Sequence, residues 1–198
     1  MKKIAVTGGL SSGKSTVCGI FKDLGAYTVS SDEIVHNLFL NDRPLQRKII
    51  DLLGSDIVVN NLLDRKKISN KVFSQPLKLQ ALERLIHPAV FNEIQTRYLQ
   101  VCDNKEYAFF VAEVPLLFET DSQHLFDYVI TVLSSEKKCK ERFKIMTGQS
   151  ESQFQERMIR QINPKQKAEK ADFMLINNGS LDELYTQVVQ LSSKLRSQ

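Results

Sequence analysis

The sequence predicts an α/β fold in which helices cover a parallel sheet, in three α/β/α layers. The first observation is a short apolar run, residues 2–8. It enters a glycine turn, continues into a helical pattern and leads to a second apolar run at residues 26–32. The second is a set of later apolar runs with the continuous hydrophobicity of buried parallel strands, at residues 107–119, 127–133 and 172–177. Strands that alternate with helices in this way are typical of a parallel sheet.

Composition indicates a globular chain that favours anionic ligands. Of the 198 residues, 42% are hydrophobic and 25% are charged, which suffices for one core. The formal net charge is +4. The sequence contains no run of five like charges, so a nucleic-acid partner is not indicated. No apolar stretch reaches the length of a membrane span, and the three cysteines lack disulfide or metal-ligand spacing. We expect a cytoplasmic protein with no nucleic-acid or membrane partner, either a monomer or a weak oligomer.

The patterning divides this single predicted domain into three parts. Residues 33–106 are expected to form a helical insertion, in which Gly54, Pro76 and Pro88 separate the helices and no strand is expected. Residues 134–171, called the lid below, are rich in charge and are expected to close over a bound substrate. The predicted core comprises residues 1–32, 107–133 and 172–198.

Two capping boxes mark helices outside the insertion. Ser150 and Gln153 have the spacing of a capping box at the start of a lid helix, and Ser180 and Glu183 repeat it near the end of the chain. The closing helix then carries one apolar face, formed by Leu181, Leu184, Val188, Leu191 and Leu195.

The run from Gly8 to Ser15 predicts a phosphate-binding loop. It matches G-x-x-x-x-G-K-[ST] without a gap, and it follows a strand and opens a helix. The alternative, a plain glycine turn, does not account for Lys14, a point charge for the outer phosphates, or for Ser15, a hydroxyl that ligates Mg²⁺. The fold class is therefore that of the P-loop NTPases. The expected ATP-binding residues here are Gly9, Ser11, Ser12, Gly13, Lys14, Ser15 and Thr16.

Two acidic residues end predicted strands. Asp32 is expected at the carboxyl edge of the sheet, where it could accept the proton of a substrate hydroxyl. Alternatively, it caps a helix that begins at Glu33. Glu113 ends the run FFVAE and could support Mg²⁺ directly or through water, or it could be an ordinary strand-terminal acid.

The remaining signals favour a small kinase. The chain lacks N-K-x-D and has no D-x-x-G after the strand that ends at Glu113, as a switch GTPase would require. A motor or transporter ATPase normally needs a longer chain. In a small kinase, residues 33–106 would bind the acceptor, and the lid must keep water from the reacting phosphate. Its basic residues could meet the developing charge or could simply lie in solvent; they include Arg142, Lys144, Arg157 and Arg160.

The order of motifs resembles that of the dephospho-CoA kinase family over essentially the entire chain. The matching segments are TGGLSSGKSTV, VSSDEI, LLDRKKISNKVF, HPAV, EVPLLFE, RMIRQ and KADFMLINNGSLDEL. The resemblance implies Mg²⁺-dependent transfer of the γ-phosphate of ATP to the ribose 3′-hydroxyl of dephospho-CoA, the last step of coenzyme A synthesis. The alternatives are a P-loop kinase of another small hydroxylated or nucleotide acceptor and a nucleotide-binding protein without activity.

The resemblance also implies roles for individual residues. Asp32 becomes the base, and Arg142 lies near the phosphates with Lys14, while Asn178 and Gly179 lie by the adenine of ATP. Near the acceptor it places Arg65, His87, Pro115, Leu116, Leu117, Phe118 and Glu119. For His87, a plain helix boundary before Pro88 remains the alternative.

Four positions depart from the family pattern. Ser30 stands where the family has an Asp, and Cys139 where it has Gln. Met146 stands where a second lid arginine is often found, which weakens any two-arginine clamp. Ser11 replaces a glycine of the loop, and we expect it to have ordinary backbone dihedrals.

Overall fold

The computed structural model describes residues 1–73 and 75–197, which form two compact units. One unit comprises Met1–Ser30 and the chain from Tyr98 onward, and the other comprises Ser31–Arg97. Among the described residues, no helix combines the length and the apolar character that a membrane span requires.

The elements follow one another in three blocks along the chain. The first block contains β1 (Lys2–Gly8), α1 (Lys14–Asp23) and β2 (Ala26–Ser30). The second contains α2 (Ser31–Asn41), α3 (Arg43–Leu53), β3 (Val58–Val59), β4 (Leu62–Leu63), α4 (Arg65–Phe73) and α5 (Pro76–Val101). The third contains β5 (Phe109–Glu113), β6 (Tyr128–Leu133), α6 (Glu136–Thr147), α7 (Glu151–Met158), α8 (Pro164–Lys170), β7 (Phe173–Ile176) and α9 (Leu181–Ser197).

The first unit is built on a five-stranded parallel sheet of order β2-β5-β1-β6-β7. Its central strand, β1, is apolar because it is covered on both faces, and Ile4, Ala5 and Val6 are fully buried. Since all five strands run in the same direction, their carboxyl ends meet at one edge, where ligands of such sheets bind. The predicted α/β fold with a parallel sheet is confirmed.

Helices α1 and α9 share the main core with the sheet. Val17 and Phe21 of α1 and Val188 of α9 are buried in one cluster with the strands. Four of the five leucine and valine positions predicted for the closing helix are buried, but Leu181 is 64% exposed. The apolar face therefore begins one turn later than the spacing indicated.

The second unit has its own hydrophobic core, which includes Ile49, Ile57, Ile68 and Leu82. It also contains a small antiparallel hairpin, β3–β4. The expectation that this insertion contains no strand is therefore wrong. Asn60 and Asn61 both have positive φ, at 49° and 62°, and Asn tolerates this conformation in two-residue hairpin turns.

The sequence pattern predicted that Pro88 separates two helices, and this is wrong. It lies inside α5, which runs for 26 residues without interruption. A proline removes one backbone hydrogen bond and does not by itself end a helix whose flanks are held by packing. Here Leu82, Val90 and Ile94 anchor the helix on both sides of Pro88.

Within the lid, α6 and α7 pack around a small core of their own. Cys139, Phe143 and Phe154 are buried together, with Leu10 packed against them. The predicted capping box is confirmed, because the Ser150 side chain accepts from the Gln153 backbone and the Gln153 side chain accepts from the Ser150 backbone.

Candidate active site

The phosphate-binding loop connects β1 to α1 at the carboxyl edge of the sheet. Gly13 has φ 102° and immediately precedes the helix, so a side chain there would be strained. Lys14 is buried, and its Nζ donates to the Gly9 carbonyl oxygen at 2.8 Å. The first turn of α1, with Ser15 and Thr16 exposed, presents backbone N–H groups that have no partner within the helix. The loop thus has the form of an anion-binding cradle.

Ser11 does not have the ordinary dihedrals that we expected. Its φ is 55°, in the left-handed region that glycine, the family's residue here, adopts without strain. The loop therefore keeps the glycine-type backbone and accepts a side chain that is strained in it.

Ser15 and Glu113 come together beside the cradle. The Ser15 hydroxyl donates to Glu113 Oε1 at 3.0 Å. Glu113 ends β5, which pairs with β1 and β2 so that Glu113 is in register with Val6 and Ser30. A hydroxyl and a carboxylate are oxygen donors of the kind that Mg²⁺ takes together with phosphates and water. In residues 1–73 and 75–197 no group of three His, Cys, Asp or Glu side chains could hold a metal ion by itself. Mg²⁺ does not need such a group, because it keeps several waters and binds substrate phosphates.

Arg142 of α6 reaches the cradle and is held there by several acceptors. Its Nη1 donates to the Ser12 carbonyl at 3.4 Å and to Ser134 Oγ at 3.2 Å. Its Nη2 donates to the Asn177 carbonyl at 3.1 Å and to Asn177 Oδ1 at 3.2 Å. The structure thus brings Arg142 to the phosphate-binding loop, next to a residue that sequence reasoning missed. Asn177 is the asparagine that falls on the A-D-x-x-I-x-N pattern, which was the available signal.

Asn178 and Gly179 lie in the turn between β7 and α9. Asn178 Oδ1 accepts from the Ser135 backbone N–H at 2.7 Å. Asn178 also lines a cavity of about 430 Å³ next to the phosphate-binding loop, together with Gly9, Leu10, Ser135 and Phe154. Gly179 is exposed.

The turn after β5 contains the five residues from Pro115 to Glu119. Leu117 and Phe118 are buried, whereas Pro115, Leu116 and Glu119 are half-buried. Glu119 Oε1 accepts from the Ile162 backbone N–H at 2.9 Å and pairs with Lys167 Nζ at 2.8 Å. Burial lowers the pKa of Lys167, and the Glu119 carboxylate opposes that shift. The turn is therefore fastened to α8.

In the second unit the structure places the other three predicted residues on separate helices. Asp32 is exposed in the first turn of α2, which begins at Ser31. Asp32 is therefore not the cap of a helix that begins at Glu33. Arg65 is the exposed first residue of α4. His87 is half-buried within α5, so its helix-boundary alternative is wrong, and burial lowers its pKa against the opposing charge of Glu83.

The other lid residues differ in their surroundings. Lys144 is exposed, and the guanidinium of Arg157 lies over the Phe143 ring at 5.3 Å. Met146, at the position of the expected second arginine, is 77% exposed.

Comparison with known proteins decides the family. The family model for dephospho-CoA kinase matches residues 2–183. The dephospho-CoA kinase of Protochlamydia amoebophila is 46% identical over 197 residues, which are 99% of this chain and 97% of that protein. The chain belongs to the dephospho-CoA kinase family. The dephospho-CoA kinase of Chlamydia pneumoniae is 42% identical over 94% of this chain and 92% of its own length.

Solved structures agree with this assignment. The dephospho-CoA kinase of Campylobacter jejuni is 27% identical, covers 98% of this chain and 97% of its own, and gives a TM-score of 0.72. A Thermus thermophilus protein is 26% identical with a TM-score of 0.80 over 98% of this chain and 97% of its own. An Acinetobacter baumannii shikimate kinase, 15% identical over 98% of this chain and 94% of its own, has a TM-score of 0.57 and shows the fold alone. The resemblance that the motif order indicated is confirmed, and the chain is an ATP-dependent kinase of the final step of coenzyme A synthesis.

Proposed function

We propose that this kinase transfers the γ-phosphate of ATP to the ribose 3′-hydroxyl of dephospho-CoA, with Asp32 as the general base. The observation that carries the chemistry is the grouping of Lys14, Ser15, Glu113 and Arg142 at the phosphate-binding loop of one unit.

The loop would bind the phosphates through backbone N–H groups and through Lys14. Lys14 Nζ donates to the Gly9 carbonyl, and we expect it to exchange this partner for a phosphate oxygen. Phosphoryl transfer places little covalent demand on the protein, so positioning and charge stabilisation supply most of the rate. Arg142, whose guanidinium lies beside the Ser12 carbonyl, is suited to meeting charge on the transferred group.

Ser15 and Glu113 would hold Mg²⁺, Ser15 through its hydroxyl and Glu113 directly or through a water. The bound ion supplies charge neutralisation across the outer phosphates. The 3.0 Å hydrogen bond between the two side chains supports this role because it keeps both oxygens at the same end of the cradle.

Asp32 would accept the proton of the 3′-hydroxyl as its oxygen attacks the γ-phosphorus. The new P–O bond forms, the bond to the β-phosphate oxygen breaks, and ADP leaves with that electron pair. Two facts support this role: Asp32 follows the carboxyl end of β2 by two residues, and Asp32 is exposed. Arg65, His87 and the turn from Pro115 to Glu119 would contact the acceptor. Because Leu117 and Phe118 are buried, that turn would act mainly through its backbone and through Pro115 and Leu116.

The adenine of ATP would occupy the cavity that Asn178 lines, with Gly179 at its edge. The cavity's volume of about 430 Å³ and its apolar wall at Leu10 and Phe154 are compatible with a planar base. We further propose that the enzyme acts in the cytoplasm as a monomer or a weak oligomer.

The decisive experiment compares Asp32→Asn with Glu33→Gln, its neighbour in the same exposed first turn of α2. Asp32→Asn should lower kcat by about 10²–10⁴ while ATP affinity is retained, because only the proton acceptor is lost. Glu33→Gln should behave as the parent. A kcat for Asp32→Asn within about threefold of the parent would contradict the base assignment.

A panel of acceptors tests the substrate. Purified enzyme, Mg·ATP and dephospho-CoA should give product that is phosphorylated at the 3′-position only. Faster transfer to another nucleotide or sugar would favour the alternative kinase, and nucleotide binding without turnover would favour a protein that only binds.

A further inference from the structure

We propose that Asn177 is a positioning residue of the nucleotide site, which fixes the orientation of the Ser12–Gly13 peptide and ties it to Arg142. This inference rests on the proposed role of the loop in binding ATP. It assigns to Asn177 a function in phosphate binding without contact to the phosphate.

The first observation is the pair of hydrogen bonds that converge on one carbonyl. Asn177 is 7% exposed, and its Nδ2 donates to the Ser12 carbonyl oxygen at 2.9 Å over a separation of 165 residues. Arg142 Nη1 donates to the same oxygen at 3.4 Å. Two donors therefore hold this carbonyl in one direction.

The direction of the carbonyl sets the direction of the next N–H group. In a planar trans peptide, the carbonyl of Ser12 and the N–H of Gly13 point to opposite sides. With the carbonyl turned to Asn177, the Gly13 N–H points away from Asn177, and a phosphate that accepts from this N–H would lie on that side. A peptide flip would reverse this and would present a carbonyl dipole to the anion, which is repulsive.

The close approach of Asn177 also accounts for the glycine. A β-carbon at residue 13 would collide with Asn177 Nδ2, and φ at Gly13 is positive as well. Packing and dihedral preference therefore both require glycine at the position where the Asn177 amide meets the loop.

The amide side chain of Asn177 satisfies both of its hydrogen-bonding partners with separate atoms. Its Nδ2 meets a carbonyl, which needs a donor, and its Oδ1 meets the Arg142 guanidinium, which needs an acceptor. Aspartate would keep the acceptor and lose the donor, while leucine would lose both. The side chain thus joins the lid arginine to the loop backbone.

The chain offers a matched control. Gln46 is 6% exposed, its Nε2 donates to the Phe39 carbonyl at 2.8 Å, and its Oε1 accepts from Arg43 Nη1 at 3.2 Å. It therefore makes the same kinds of bonds as Asn177 but within the second unit, which does not contain the loop. Gln46→Leu should cost similar stability and leave nucleotide binding unchanged.

The test is calorimetric titration of ADP into folded Asn177→Leu, Asn177→Asp, Gln46→Leu and Lys14→Ala enzymes. We expect both Asn177 variants to bind ADP about tenfold more weakly, because the buried Ser12 carbonyl loses its Asn177 donor and the peptide is no longer held in one orientation. Dephospho-CoA affinity should change by less than about twofold. In the parent, ADP should shift the amide resonance of Gly13 strongly, and Asn177→Leu should reduce that shift.

The outcomes separate this inference from the function on which it rests. If Lys14→Ala weakens ADP binding but both Asn177 variants bind as tightly as Gln46→Leu, the role of Asn177 is wrong and the loop is still the nucleotide site. If Lys14→Ala binds ADP normally, the proposed nucleotide site itself fails. Parent-like binding by Asn177→Asp would alone refute the donor to Ser12, and it decides the matter should the leucine variant not fold.

Discussion

The buried ion pair between Lys167 and Glu119 provides a test of how the turn after β5 is stabilised. The Lys167 side chain is fully buried, and its Nζ lies 2.8 Å from Glu119 Oε1 and 2.7 Å from the Pro115 carbonyl oxygen. Lys167→Met removes the charge and keeps an unbranched chain of similar length. Glu119, whose side chain is only 15% exposed, would then lack its counter-charge.

The expected cost is large. Removing one partner of a buried pair destabilises a protein by about 3–5 kcal/mol, because the remaining charge stays buried without compensation. For a domain whose total stability is about 5–15 kcal/mol, this is a substantial fraction and corresponds to a fall in Tm of roughly 10 °C. Replacing both partners, in Lys167→Met/Glu119→Leu, should restore most of the loss. A residual cost of about 1 kcal/mol should remain, because the Ile162 N–H loses its acceptor.

Urea denaturation of the single and double variants measures these values. The control is Lys140→Met, since Lys140 pairs with Glu136 at 2.8 Å and with Glu151 at 2.6 Å on the exposed lid surface. Solvent screens that pair, so we expect little change in the denaturation midpoint. The reasoning is refuted if Lys167→Met is no more costly than Lys140→Met, or if the double variant is as unstable as the single one.

Two further predictions concern backbone strain and pH. Ser11→Gly should raise the free energy of unfolding by about 1 kcal/mol relative to the parent, because φ at this position is 55°, and Ser11→Ala should not. A less stable glycine variant in urea denaturation would show that the Ser11 side chain outweighs the strain. Burial lowers the pKa of His87 below its ordinary 6.5, so between the two values the unfolded chain binds more protons and stability falls as the pH drops through that window. Denaturation midpoints at pH 8 and pH 5.5 should therefore differ less for His87→Gln than for the parent; equal differences would contradict this.

Local patterns were sufficient wherever a structural requirement is local. The phosphate-binding loop depends on glycines, a lysine and a serine within eight consecutive residues, and the run from Gly8 to Ser15 folds as that pattern predicts. The buried strands could be read from their apolar runs for the same reason. The position of Glu113 at the end of β5 followed directly, whereas its hydrogen bond to Ser15 joins residues 98 positions apart and was not predicted.

The residues that commonly end helices and strands predicted the element boundaries less well. Pro88 predicts a break between helices, yet α5 continues across it because buried residues on both sides hold the helix. Asn60 and Asn61 between two apolar pairs were a usable signal for a hairpin, since both adopt positive φ. The strands they join have only two residues each, too short for an alternating pattern to be recognised.

Contacts between distant residues could not be predicted from spacing. In the sequence Lys167 is one of several lysines on a charged helix. Only the structure shows that it is buried and that it donates to the Pro115 carbonyl, 52 residues away along the chain. Asn177 meets the loop across 165 residues, and Asn178 was singled out in its place. The A-D-x-x-I-x-N pattern marks Asn177, but it does not show that the Asn177 side chain faces the loop.

The pairing of α6 with α7 has a consequence for product release. Gln155 Nε2 donates to Glu136 Oε1 at 2.9 Å, Lys140 bridges Glu136 and Glu151, and Phe143 meets Phe154 edge-on. If α6 and α7 move, these contacts favour movement as one piece, together with the Arg142 guanidinium, which donates to the Ser12 carbonyl, and with Leu10, which packs in the same cluster. An outward movement of the lid would expose the phosphate-binding loop and would also remove Arg142 and the packing of Leu10 from it. Release of ADP and weakening of the contacts to its phosphates would then occur in the same step.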